Sequence, residues 1–522
     1  MLGKWQTYDD YRELVRTVGI RLREDSMAAA EWHALRPQWR LIRRLNLDPV
    51  HDFMDDLFPN FGRPSSQQPQ ILRSFVLMSL MGYTSVTNWV HTLQQRPLLA
   101  LIIGCDTQGI CGPPDKVPSI GAHYHFQERL WVSGAFERQH AGRSIGALLN
   151  PKFYARIKTV SDEIETQKKN KKLKKGEKLQ ESNQQITSRL VDWAESGRDF
   201  PLHYEKRLQD LFILTAVKPS IAAGVLPSEN VTVSGDGTAI HIHSDPCGHR
   251  PKQASYQALP YDQCPRYFQD PEATFGWDSD LGVSYFGYTL YMYCVHNAEH
   301  GMDLPVHIRV SSAARNDAVT GIIGLHEFLR MDTGMTVRNV CLDSAHDNMS
   351  TYRWLLHNNI IPFIDLNDKR GRKKTVEGEA ASDDKGIPQC MAGYDMVRNG
   401  NDYSRMRTKF RCPMKCGKVD TCPCQDQCSP SPYGRTVYVN MEDNPRIHPP
   451  VPRDSDAYKH IYNNRTSCER CNKRILHDFN LEQWRGHSRM RCSFMSTIAG
   501  ICMHLQAQEK VAPTPDEELQ AA

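Results

Sequence analysis

At 522 residues the chain has ample material for packed cores and should form two to four domains. Its formal net charge of only +4 does not by itself demand a nucleic-acid partner, so local basic blocks say more than the total. No apolar run reaches the length of a bilayer span: the longest, Ile71 to Met81, is interrupted by Arg73 and Ser74.

The N-terminal stretch MLGKWQTYDDYRE lacks a hydrophobic signal core. A soluble, cytoplasmic protein with no membrane partner is therefore expected. In that compartment the 16 cysteines are reduced thiols or metal ligands rather than a disulfide framework.

Residues 1–150 read as a helical domain. An apolar helix over Gln70 to Gly82 follows Pro69, and Ser85 is placed to cap a second helix through Trp89 and Val90. Helix, glycine turn, helix fits either a DNA-reading helix-turn-helix or an ordinary helical hairpin. A short helix through Phe126 and Trp131 follows. Residues 151–230 read as a helical connector with a lysine block: Lys168, Lys169, Lys171, Lys172, Lys174, Lys175 and Lys178. Such a block cannot pack in a core. It is either a solvated hinge or a set of phosphate contacts.

From Val231 the pattern changes to strands: VTVSGDGTAIHIH, Tyr285 to Val295, and Leu304 to Val310. A helix over Asp317 to Leu329 leads to a strand at Val337 to Leu342. A helix over Asn348 to Leu356, capped by Asp347, leads to a strand at Ile360 to Ile364. Three strands, helix, strand, helix, strand is the order of a ribonuclease-H-like α/β domain, here residues 231–367. Residues 368–455 interrupt it with a basic run (Lys369, Arg370, Arg372, Lys373, Lys374), a cysteine cluster and a strand near Arg435 to Asn440. Residues 456–506 supply closing helices, and 507–522 a disordered tail.

Three acids stand out. Asp236 lies in Ser-Gly-Asp-Gly-Thr, where glycines would let a ligand approach the backbone; Asp-Gly is equally a hairpin-turn signal. Asp343 follows the apolar strand Val337 to Leu342 and is either a metal ligand at the sheet edge or a helix cap. Glu469 lies in YNNRTSCERCNKRIL, read as one helix from Tyr462 to Leu476 with Tyr462, Arg465, Glu469 and Lys473 on one face. It is either a ligand or the partner of Lys473 in a salt bridge. Two strand acids and one helix acid would suit two Mg²⁺ ions roughly 3.5–4 Å apart at a phosphodiester. Arg465 could then grip phosphate, and Tyr462 could stack on a base or fix the DNA backbone.

The cysteines Cys412, Cys416, Cys422, Cys424 and Cys428, with Cys390 upstream, suggest a structural Zn²⁺ site or a loop of unligated thiols. The group His241, His243, Cys247 and His249 reads as a polar loop.

With these residues in place, the chain resembles bacterial insertion-sequence transposases of the DDE class, in the branch with a Y-R-E-K signature. Tyr462-x2-Arg465-x3-Glu469 carries the strongest likeness. GDGT at Asp236, DPEA at Asp270 to Ala273, YFGY at Tyr285 to Tyr288, LDSAHD at Asp343 and RTSCERCNKR add to it in order. The resemblance implies a ribonuclease-H-like fold with an insertion before the Glu-bearing helix. It implies Asp236, Asp343 and Glu469 as ligands of two Mg²⁺ (or Mn²⁺) ions. It implies double-stranded DNA partners (terminal inverted repeats and target DNA), a synaptic homodimer, and nicking followed by joining of the freed 3′-hydroxyl. The last signature position is Leu476 rather than Lys, and Lys473 is expected to stand in. A non-catalytic DNA-binding derivative and a nuclease without strand transfer are the competing expectations.

Overall fold

The computed structural model describes residues 1–22, 26–58, 62–131, 183–197, 205–246, 268–270, 272–278, 281–367, 387–424, 428–484, 486 and 488–512. The lysine block at 168–178 and the basic run at 369–374 lie outside them, as do Cys247, His249 and residues 513–522; the expected disordered tail does not start at 507, because 507–511 continue a helix in which Ala507 and Gln508 are buried.

The centre is a six-stranded mixed sheet. Its strands are β1 (Val231–His241), β2 (Thr274–Asp278), β3 (Val283–Asn297), β4 (Met302–Ser312), β5 (Val337–Leu342) and β6 (Ile361–Ile364). The order is β2-β3-β1-β5-β6, with β4 also paired to β3. β1, β2 and β4 run antiparallel to β3, whereas β5 and β6 run parallel to β1. The molecule is thus of the mixed α/β class. β3 is rich in tyrosine and β-branched residues and is buried from Gly287 to Val295, as expected of a strand covered on both faces. β2 was not foreseen from the sequence. The Asp-Gly pair at 236 makes no turn: β1 runs through it without a break.

The chain opens with α1 (Tyr8–Leu22), α2 (Ser26–Ile42), α3 (His51–Asp55), α4 (Gln68–Leu80), α5 (Val86–Gln95), α6 (Pro97–Ile102) and α7 (Ile120–Arg129). The expected start of α5 is observed, with Ser85 Oγ accepting from Asn88 N. α4 is buried from Gln68 to Ser79, so this pair is a packed hairpin whose first helix lies inside a core. After α8 (Asn183–Glu195), α9 (Lys206–Phe212) and α10 (Lys218–Ala222), the sheet receives α11 (Asp317–Arg330) and α12 (Met349–His357). Asn348, not Asp347, caps α12, through Ser350 N at 3.0 Å. Asp347 is fully buried instead, paired with Arg446 at 2.6 Å and accepting from Asn367 N at 2.8 Å.

The insertion contributes its own antiparallel sheet of β7 (Val397–Asp402), β8 (Arg407–Arg411) and β9 (Thr436–Asn440). The chain then returns through α13 (Asp456–Tyr462) and α14 (Thr466–Lys473) to α15 (Arg489–Val511).

α15 joins the layers. It is buried on every side from Cys492 to Leu505, its serines, Thr497 and His504 included. One side lies on β4: a Cβ at Gly500 would stand 2.6 Å from Ile308 Cδ1, so only glycine lets helix and strand approach this closely. The other side meets the N-terminal helices, where Phe494 packs edge-on to Phe75 at 4.6 Å. One continuous hydrophobic cluster therefore runs from Tyr11 to the sheet.

β4 is covered at its outer edge by side chains. Glu205, buried, accepts from Val310 N at 3.1 Å and from Ser493 Oγ at 2.9 Å, and Gln209 donates to Ile308 O. Burial pushes the Glu205 carboxyl up to about 7, against the opposing charges of Arg309 and Arg489. The unfolded chain releases that proton near 4.5, so Glu205 weakens the fold progressively as pH rises from there through 7. Glu205→Gln is expected to gain about 2–3 kcal/mol relative to wild type between pH 5 and pH 8, read from denaturation midpoints at the two pH values.

Candidate functional site

Asp236 sits mid-strand in β1, opposite Met292 of β3. Its flanking glycines serve packing. A Cβ at Gly235 would lie 2.6 Å from Tyr293 Cε1 and 2.7 Å from the Tyr291 hydroxyl. One at Gly237 would lie 2.6 Å from Asp317 Oδ1. The glycines thus let buried tyrosines and a further carboxylate fit beneath the strand, a different reason from ligand approach. Gly235→Ala is expected to cost about 1–3 kcal/mol through overpacking, measured by denaturant unfolding.

Asp343 is brought to the same place by the parallel pairing of β5 with β1, in which Ser234 faces Cys341. The capping expectation for this residue is observed. Its Oδ1 caps the short turn Ser344–His346, accepting from Ala345 N at 3.2 Å. It also pairs with His346 Nδ1 at 2.7 Å. His346 is buried, and its Nε2 stands 2.9 Å from the Tyr291 hydroxyl. The chain Asp343–His346–Tyr291 fixes the direction of one carboxylate.

Charge accumulates here. Burial, then Asp343 and Asp317, push the Asp236 carboxyl up to about 7, while Arg465 opposes them. Burial and Asp343 raise Asp317 as well. Burial alone would raise Asp343, but His346 holds it below the ordinary carboxylate range. Burial would lower His346, and the Asp343 carboxylate overrides it and raises it. Asp317 and His346 were not anticipated as members of the site. An acid in the first turn of α11 reads as ordinary dipole pairing, and His346 gains its role only through tertiary contacts.

α14, which carries Glu469, packs on the same strand as Asp236, but the Glu469 side chain is exposed and is not among the groups that act on Asp236, Asp343 or Asp317. Ser467 Oγ lies 2.6 Å from Ser234 Oγ, and Cys468 Sγ donates to Ser234 O at 2.8 Å. These buried contacts pin the helix to β1 two residues before Asp236. Arg465 donates to Glu469 Oε1 at 2.6 Å, and its charge also acts on Asp236 and Asp343. The salt-bridge partner of Glu469 is therefore Arg465, not Lys473. Among the described residues, no group of three or more His, Cys, Asp or Glu side chains is close enough to hold a metal ion. The donor chemistry nonetheless fits a hard cation: mutually repelling carboxylates are what such an ion would neutralise.

The stretch from Tyr462 to Leu476 is not one regular helix. Asn463–Arg465 is a 3₁₀ turn and Arg474–Asp478 a π turn flanking α14. Tyr462 ends α13, donates to Asp365 Oδ2 at 2.8 Å and stacks on Tyr458 at 5.5 Å. It is thus held by protein groups on one side. The π turn alters the helical phase, so position 476 faces the core, where Leu476 is buried. Lys473 is exposed.

In the insertion, Cys412 N–H and C=O shape a turn with Arg435 and Cys416. Partial desolvation, then the neighbouring thiols of Cys422, Cys428 and Cys390, raise the Cys424 thiol. Cys424 is thus influenced by these three thiols, but among the described residues no three cysteines are close enough to hold a metal ion. Among the described residues His241 joins no metal-holding group: it stacks on Tyr285 at 4.9 Å and pairs with Asp278 at 3.1 Å. Among the described residues, no helix is long and apolar enough to cross a membrane. Comparison of the chain with family models and with curated proteins finds no match.

Proposed function

We propose that the chain is a DDE-type DNA transposase with a ribonuclease-H-like catalytic domain. The observation that carries this reading is the parallel pairing of β1 with β5, which sets Asp236 and Asp343 in one charge cluster, with α14, the helix that bears Glu469, docked on Ser234 of the same strand. The mixed sheet order, with β1 central and antiparallel to β3, supports it.

In this reading Asp236, Asp343 and Glu469 would hold Mg²⁺ (or Mn²⁺), which requires Glu469 to give up its pair with Arg465. When bound, the two ions supply charge neutralisation at phosphorus and an activated attacking oxygen. His346 keeps Asp343 ionised and directed. Arg465, released from Glu469, is placed to bind a phosphate oxygen through its planar guanidinium. The reaction is hydrolysis of a phosphodiester at each element end, breaking the P–O3′ bond and leaving a 3′-hydroxyl. That hydroxyl then attacks a target phosphodiester and displaces its 3′-oxygen. Inverted repeats and target DNA are the partners, and a homodimer pairs two ends.

A structural Zn²⁺ held by four of the thiols Cys390, Cys412, Cys416, Cys422, Cys424 and Cys428, once drawn together, would fix the insertion. Elemental analysis is expected to find about one zinc per chain, and its absence would remove this element of the proposal.

The test is incubation of the purified chain and Mg²⁺ with a plasmid carrying its own coding segment and flanks, followed by sequencing of nicked and joined strands. Nicks at a repeated terminal sequence with 3′ joining are expected. Cleavage without joining would favour a nuclease. Binding without cleavage would favour a DNA-binding derivative in which the Arg465–Glu469 pair is permanent.

A further inference from the structure

The sheet carries an exposed aromatic hairpin away from the carboxylates. β2 pairs with β3 so that Phe275 faces Phe286 and Trp277 faces Ser284. The hairpin extends past β4, whose pairing with β3 ends at Tyr288. Phe275, Trp277 and Leu281 are 60%, 65% and 68% exposed. The Phe275 and Phe286 rings pack at 5.2 Å.

The two faces of this hairpin differ. On one, His241 stacks on Tyr285 and bonds Asp278, bracing the ribbon from behind. On the other, Phe275 and Trp277 are open, and the half-buried Phe286 backs Phe275. Strand alternation fixes which face this is. Met292, Leu290 and Tyr288 of β3 pair with Asp236, Thr238 and Ile240, and Phe286 continues their row. The open aromatics therefore share the sheet face of Asp236 and α14. Phe286 lies about 20 Å along β3 from Met292, at about 3.3 Å per residue. At the root of the hairpin, Thr274 Oγ1 accepts from Ala314 N at 2.9 Å. The next residue, Arg315, is exposed and its side chain has no ion-pair partner among the described residues. Cations thus stand at both ends of the path, Arg465 at the carboxylates and Arg315 at the hairpin.

We propose that this hairpin is a stacking platform for unpaired nucleobases of the DNA whose phosphodiester lies at Asp236 and Asp343. The inference rests on the DNA-processing reading above. Flat aromatic faces accept any base, and the flanking arginines suit the backbone that connects those bases to the site. An open patch of this size on a braced ribbon also marks an interaction surface rather than incidental exposure.

The test uses the full chain in EDTA, so that binding is read without cleavage. The probes are two fluorescein-labelled duplexes, one blunt and one with a short single-stranded 3′ tail. Wild type is expected to prefer the tailed duplex. Phe275→Ala with Trp277→Ala is expected to lose about tenfold in affinity for the tailed duplex and to keep its affinity for the blunt one. Trp277→Phe should retain most of the preference, and an unchanged melting curve for each variant shows that it is folded. Equal binding of the tailed duplex by wild type and the double variant overturns the proposal. Loss of concentration-dependent self-association with unchanged DNA binding overturns it in favour of a second copy of the chain. If wild type binds neither duplex, the DNA-processing reading falls with it.

Discussion

Asp236→Asn is expected to reduce Mg²⁺-dependent strand cleavage by about a thousandfold or more while stabilising the metal-free protein at pH 8. The first effect follows from removing a hard oxygen ligand at the reacting phosphate, where electrostatic stabilisation contributes several kcal/mol to the transition state. The second follows from the crowding of carboxylates. The folded protein holds the Asp236 proton up to about 7, whereas the unfolded chain loses it near 3.8. A raised carboxyl of this kind weakens the fold as pH rises from 3.8 through 7, and the whole penalty is present above that. Asn cannot ionise, so the variant escapes it. With allowance for solvent screening at a partly exposed side chain, the gain at pH 8 is roughly 2 kcal/mol, vanishing near pH 4. Thermal melts at both pH values, with and without Mg²⁺, read the stability effect. Gel assays of plasmid nicking read the activity. A variant that still cleaves removes Asp236 from the site; a variant that is less stable at pH 8 contradicts the electrostatic account.

Phe494→Ala is expected to cost about 3–5 kcal/mol, the largest loss from any single core truncation considered. Phe494 is fully buried, edge-on to Phe75 at 4.6 Å and 6.2 Å from Phe126. Its removal opens a cavity where α15 meets the N-terminal helices, and neither neighbour can collapse into it while held by the rest of the cluster. The effect should extend to the sheet, because α15 also lies on β4, where His504 Nε2 bonds Pro305 O at 2.8 Å. Urea unfolding followed by tryptophan fluorescence and by far-ultraviolet circular dichroism should shift together. A shift confined to one probe would show that the helical layer and the sheet unfold separately.

The strands were the legible part of this fold. β1, β3, β4, β5 and β6 declare themselves by β-branched and aromatic runs of strand length, and all fall where the pattern places them to within a few residues. β2 was hidden because TFGWD is short and its apolar residues point outward, so it has no buried alternation to read. The Asp-Gly signal at 236 favoured a turn, but the strand wins because both glycines are needed beneath it by Tyr291, Tyr293 and Asp317. Asp236 was thus singled out correctly as a strand acid, though for the wrong reason.

The site was half legible. Chain order placed Asp236, Asp343 and Glu469 as candidates, and local spacing paired Glu469 with Lys473. The observed partner is Arg465, one turn toward the N-terminus. Spacing arguments assume a constant helical period, and here a 3₁₀ turn precedes α14 and a π turn follows it. The same change of phase buries Leu476 and removes the reason to expect a cation there. Asp317 and His346 could not be read at all. Each looks ordinary in its own segment and acquires meaning only when β5 lies beside β1 and α11 packs beneath them.

The central claim is that Asp236, Asp343 and Glu469 serve one divalent-ion centre. Iron-directed cleavage of the polypeptide tests it most directly: Fe²⁺ is loaded in place of Mg²⁺, ascorbate and peroxide generate hydroxyl radicals at the ion, and the cut peptides are mapped. Cuts clustered around residues 236, 343 and 469, suppressed by excess Mg²⁺ and by Asp236→Asn, are the expected result. Cuts near 236 and 343 with none near 469, or no Mg²⁺-sensitive cuts at all, would contradict the shared centre.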